Sequence, residues 1–206
     1  MKISLGFKLV VVSFLLLNGC VAMQVAREVQ SGRAALRVGA PKNAIPHFEA
    51  AARLDPDYIA DFTLPEVGVW TYLGRAYYEA GDRGKALESL KQARERHPDD
   101  PFARIYLGLV EAQNGTRTQG IREMESGLKG LLAWQEQLAG PYKPYWDPGR
   151  YLARGVNETL ALIKEEETDW NKVSDSIGWL ARKYDEELGE VRRKWEKDVT
   201  GSARDT

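Results

Sequence analysis

VGVWTYLGRAYYEAGDRGKALESLKQARERHPDD, residues 67–100, packs two helices' worth of pattern into 34 residues. Trp70, Leu73 and Tyr77 recur at three- and four-residue spacing, which sets them on one face of a first helix. Gly74 has no side chain, so a second helix can approach closely at that point. Gly81-Asp82 supplies turn chemistry between the two. Ala86 and Ala93 keep the second helix tight against the first. Pro98 ends it, because proline disfavours helical geometry in the residue before it.

With Val67 as position 1, Trp70, Leu73, Gly74, Tyr77, Gly81, Ala86, Leu90, Ala93 and Pro98 fall at positions 4, 7, 8, 11, 15, 20, 24, 27 and 32. That spacing resembles the 34-residue tetratricopeptide repeat, with Leu90 where Phe is usual. Two weaker copies flank it. Residues 25–58 keep Gly32, Gly39, Ala44, Phe48, Ala51 and Pro56 in frame, but place Ser31 and Ala35 at positions 7 and 11. Residues 101–134 keep Leu107, Gly108, Gly115 and Met124, with Gly120 and Gly127 where the repeat usually has Ala. The first two copies are separated by an insert near Ile59 to Glu66, expected to be a loop or a one-turn extension at the repeat edge. The resemblance implies an all-α, right-handed α-solenoid of about three repeats over residues 25–134, close to the minimum that stands alone.

The resemblance also implies a function. In this family the first helices line a concave groove through positions 2, 5, 9, 12 and 13. Carried over, repeat one offers Ala26, Val29, Arg33, Leu36 and Arg37. Repeat two offers Gly68, Thr71, Arg75, Tyr78 and Glu79, and repeat three Phe102, Ile105, Leu109, Ala112 and Gln113. The lysine and asparagine clamp that some members use for a peptide carboxylate is missing, because positions 5 and 9 of repeat one are Val29 and Arg33. The candidate peptide groove is therefore Arg33, Arg37, Thr71, Arg75, Tyr78, Ile105 and Leu109. Its expected ligand is a protein partner, an extended peptide or a helix, carrying an acidic group and an apolar anchor.

Upstream of the repeats, Lys2 and Lys8 give a positive start, and Leu9 to Leu17 is apolar except for Ser13. This suits a signal-peptide core and falls short of the ~20 residues that span a bilayer. Leu17-Asn18-Gly19-Cys20 follows, and it resembles the lipobox of bacterial lipoproteins. That resemblance implies a signal peptide over 1–19, acylation of Cys20, and a short spacer at 20–24. Two or three acyl chains, at about 0.8 kcal/mol per buried methylene, hold a protein stably where one does not. Val21 stands where an inner-membrane retention signal would place Asp, which implies the outer membrane, facing the periplasm. Cys20 is the sole cysteine, so no intramolecular disulfide forms.

Downstream, residues 135–148 read as a linker rich in aromatics and proline, and 149–199 as C-terminal helices. Asp147-Pro148 reads as the start of a helix from about Gly149 to Glu167. Thr168 and Asp169 cap another helix. On it Trp170, Val173, Ile177, Leu180, Tyr184, Leu188, Val191, Trp195 and Val199 form a narrow apolar stripe ~45 Å long. This helix either caps the exposed face of the last repeat or forms a coiled-coil arm for self-association. Residues 200–206 read as a tail.

Other classes lose ground. Removing Lys2 and Lys8 with the leader takes the formal net charge from −1 to −3, opposite to the basic balance of a nucleic-acid binder. No cofactor, metal or catalytic constellation is expected, and His47 and His97 read as ordinary surface or packing residues. Trp134, Trp146 and Trp179 are left unexplained by repeat or stripe and open a glycan-binding alternative. The leading expectation is an envelope scaffold or assembly factor, followed by a structural subunit of a stable pilus, secretion or outer-membrane complex.

Overall fold

The computed structural model describes residues 5–60, 66–137 and 146–202. Eight helices follow one another over these residues: α1 (Leu5–Arg37), α2 (Pro41–Leu54), α3 (Val69–Glu79), α4 (Arg83–Arg96), α5 (Pro101–Gln113), α6 (Arg117–Gln137), α7 (Tyr151–Leu162) and α8 (Trp170–Ser202). The fold is an all-α solenoid. Consecutive helices pack in pairs, α1 with α2, α3 with α4 and α5 with α6, and each pair stacks on the next through α2–α3 and α4–α5.

Each pair is held by the residues that occupy equivalent repeat positions. At position 15 the chain turns through left-handed backbone in all three copies, at Gly39 (φ 70°), Gly81 (φ 88°) and Gly115 (φ 102°). An L side chain is disfavoured there. Phe48 and Leu90 occupy position 24 and are fully buried, against Gly32 and Gly74 respectively. The α5–α6 pair is the tightest of the three. A Cβ on Gly108 would meet the Gly120 carbonyl oxygen at 2.4 Å, and a Cβ on Gly120 would meet that of Gly108 at 2.3 Å. Gly120, which stands where alanine is usual, is therefore what lets these two backbones touch beside the repeat's own Gly108.

Asp100 joins repeat two to repeat three. Its Oδ1 accepts from the backbone of Phe102 (2.9 Å) and Ala103 (3.1 Å), capping α5. Its Oδ2 accepts from Gly68 N (3.1 Å) and Thr71 Oγ1 (2.6 Å) at the start of α3. The ends of the insert are also pinned, by an antiparallel bridge between Ile59 and Gly68. The rest of the insert, with Phe62, Leu64 and Pro65, lies outside the described residues, as does most of the 135–148 linker.

Several boundaries differ from expectation. α1 runs without a break from Leu5 through Cys20 into repeat one, so the spacer at 20–24 is helical. α6 continues to Gln137, past the expected end of the third repeat. α7 starts at Tyr151 rather than Gly149 and ends at Leu162 rather than Glu167. Asp147 (φ 35°) and Arg150 (φ 53°) are both left-handed and delay the helix, although Asp147 Oδ2 does accept from Leu152 N and Ala153 N. α8 continues to Ser202, into the segment expected to be tail, and residues 203–206 lie outside the description. Asp169 caps α8 by accepting from Asn171 N (3.0 Å) and Lys172 N (3.3 Å).

The largest departure concerns where α8 lies. It packs on α7 and also on α5, and its side chains reach α1 and α3. It therefore runs along the inner face built by the first helix of each repeat and is not confined to the end of the solenoid. Ten of the 13 residues of α5 are buried, because this helix has α3, α6 and α8 around it.

Candidate interaction groove

The concave face is built by α1, α3 and α5, and its charge comes from position 9 of the repeat. Arg33 on α1 and Arg75 on α3 occupy that position in neighbouring repeats, which brings two guanidinium groups onto one surface. Both are buried, with 7% and 3% of their surface exposed. Two buried cations side by side are costly unless an anion joins them. Asp185 of α8 is that anion. Arg33 Nη2 lies 2.9 Å from its Oδ1, and Arg75 Nη1 lies 3.3 Å from its Oδ2.

The surroundings fix both guanidinium groups. Arg75 Nε donates to Glu79 Oε1 at 2.7 Å, one turn along α3. The Arg33 guanidinium stands 5.6 Å over the Tyr72 ring, which is itself stacked on Phe48. Tyr72 Oη donates to Asp185 Oδ1 at 3.5 Å. Burial pushes the Tyr72 phenol far above its ordinary range, and Asp185 adds to the effect, so the hydroxyl stays a donor. Burial alone would weaken the Arg75 cation, but the carboxylates of Glu79 and Asp185 oppose that effect and keep the group charged. Arg33 behaves in the same way, with the Asp185 carboxylate opposing its burial.

Two further contacts seat α8. Near its start, Ser174 Oγ pairs with Tyr78 Oη at 2.6 Å, and Gln113 Nε2 donates to the same oxygen at 3.2 Å. Further along, Tyr184 meets Phe102 edge to face, with centroids 5.4 Å apart. Trp134 and Trp146 close around it, T-shaped to one another at 4.8 Å, and Gln135 donates to the Tyr184 hydroxyl.

These facts revise the groove read from sequence. Arg33, Arg75, Ile105 and Leu109 all lie on the expected face, but all are buried in the fold. Thr71 is buried too, and its hydroxyl is committed to Asp100. Tyr78 is half-buried and bonded to α8, and Arg37 alone of the set is exposed, in the last turn of α1. The expected open channel for an extended peptide is filled by a helix of the same chain, because the apolar stripe of α8 found its burial there. Asp185 was missed from sequence. The signal available was local: Asp185 lies one turn from Ala181 at the edge of the stripe, an acidic residue beside a face that must be buried.

The leftover tryptophans also find places. Trp146 is buried and Trp134 packs on it, while Trp179 lies against Gly155 of α7. His47 Nδ1 pairs with Glu28 Oε2 at 2.7 Å, between α1 and α2. His97 ends α4 and its ring covers Gly68. Val173, Ile177, Leu180, Tyr184 and Val191, which a coiled-coil seam would use, are buried within the chain. Among the described residues, no helix is long and apolar enough to cross a membrane, and no group of three or more His, Cys, Asp or Glu could hold a metal ion.

A protein-family model described as Tetratricopeptide repeat matches residues 67–112. The match covers α3, α4 and nearly all of α5, the stretch that carries Arg75, Asp100 and the central wall of the groove. No curated protein matches the chain.

Proposed function

We propose that this chain is a membrane-anchored protein-interaction scaffold or assembly factor of the bacterial envelope, held by lipid at Cys20 and facing the periplasm from the outer membrane. Repeats of the matched type generally bind protein partners, and a concave face on which Arg33 and Arg75 already hold a helix through Asp185 is the observation on which the proposal rests. The anchor rests on Leu17-Asn18-Gly19-Cys20 and the apolar run before it. The continuity of α1 gives the anchor a mechanical meaning. From Cys20 to Val25, where the solenoid core begins, is about 7.5 Å of helix at 1.5 Å per residue, so the repeats would stand close to the bilayer at a set angle.

The test is fractionation of cells that express the full chain. The wild type is expected with the outer membrane, and Cys20→Ser is expected in the soluble periplasm with its protein partners still co-purifying. Retention of Cys20→Ser in the membrane sinks the anchor. Failure of both forms to bring down any protein sinks the scaffold. A structural subunit in a stable complex is the second reading, and it would give one partner in fixed stoichiometry. The C-terminal helix would be its natural docking element, yet Val173, Ile177, Leu180, Tyr184 and Val191 of that helix are already buried within the chain.

A further inference from the structure

We infer that α8 is a resident ligand of the concave groove, and that the external partner is an amphipathic helix with two carboxylates one turn apart which takes its place. The inference rests on the scaffold reading and specifies its partner. It begins with an imbalance of hydrogen bonds. The groove presents two guanidinium groups to α8, and α8 answers with the single carboxylate of Asp185. Arg33 Nε, Arg75 Nη2 and Tyr106 Oη are buried and have no hydrogen-bond partner among the described residues. Buried polar groups are normally paired, and an unpaired donor beside a charged site marks a place where a further acceptor is favourable.

The position of that acceptor can be read from the packing. Arg75 and Tyr106 line a small cavity under α8, together with Ala181, Tyr184, Asp185 and Leu188. Ala181 is four residues before Asp185 and therefore on the same face, one turn away. A helix with a carboxylate at the place of Ala181 would reach the unpaired Arg75 and Tyr106 groups, and its Asp185 equivalent would keep the existing pair. Apolar groups at the equivalents of Tyr184 and Leu188 would fill the aromatic wall. The occupant is helical because the groove already accommodates a helix at this spacing, and acidic because the unpaired groups are donors. Such a ligand competes with a helix in cis, so α8 sets a threshold that only the better-matched partner passes.

The experiment uses the full chain in detergent and two labelled peptides, residues 173–191 as they stand and the same peptide with Ala181→Glu. Fluorescence anisotropy measures binding, and hydrogen exchange follows the amides of α8 in the protein. The Ala181→Glu peptide is expected to bind at least about tenfold more tightly than the unmodified one. Its binding should strip protection from α8 between residues 173 and 191 while α3 and α5 stay protected. Adding Asp185→Asn to that peptide should abolish the gain. Equal affinity of the two peptides would overturn the inference and point instead to exchange of α8 between copies of this chain. Binding that leaves α8 protection unchanged, or no binding at all, would also overturn it. None of these results touches the Cys20→Ser fractionation or co-purification, so the two proposals fail separately.

Discussion

Asp100 does at residue scale what the repeat does along the whole chain. Each carboxylate oxygen takes two donors, one pair from its own helix and one from the previous repeat, and only 2% of the residue is exposed. Asp100→Ala removes a helix cap worth about 1 kcal/mol. It also leaves Gly68 N and the Thr71 hydroxyl without their acceptor, at about 1–3 kcal/mol. The expected total is a loss of roughly 2–4 kcal/mol in a denaturant titration, with Asp100→Asn losing less because one oxygen remains. A change below about 0.5 kcal/mol for the alanine variant would mean that the inter-repeat bonds contribute nothing. Part of this was legible in the sequence, where Asp99-Asp100 stands before an apolar run. The link to Thr71 was not, because a groove position in a repeat frame says where a residue lies and not where its hydroxyl turns.

At the scale of elements, α5 and α6 show why a family frame is a guide and not a rule. The frame favours alanine at position 20, and helix propensity favours it by about 1 kcal/mol over glycine. Gly120→Ala is nevertheless expected to destabilise by about 1–3 kcal/mol, because its methyl group would strike the Gly108 carbonyl. Thermal unfolding measures this, and a rise in Tm would show that the helices can separate at no cost. The α3–α4 pair was legible in full, since Trp70, Leu73, Gly74, Tyr77, Gly81, Ala86, Leu90 and Ala93 each have a local reason for their type. In repeat one the second helix was the clearer, because Ser31 and Ala35 dilute the pattern of the first. The length of α7 was not legible, since it depends on left-handed backbone at Asp147 and Arg150, neither of which is glycine.

At the scale of the whole molecule, the sequence stripe of α8 identified the buried face of a long helix but not the surface against which it is buried. An apolar period of 3.6 is satisfied equally by the end of a solenoid, by a second copy and by the groove. Charge decides among them. Asp185 can leave water only where cations await it, and Arg33 and Arg75 supply that place on the concave face. The glycan reading weakens at this scale as well, because Trp134 and Trp146 are engaged in the aromatic contact with Tyr184. The molecule that results is a short solenoid whose concave face is closed by its own last helix. A double-mutant cycle on Arg33→Met and Asp185→Asn, read by denaturant unfolding of the full chain in detergent, tests this most directly. If α8 is seated through this pair, the two changes couple by at least about 1 kcal/mol. Effects that add to within about 0.3 kcal/mol would contradict it and place Asp185 away from the groove.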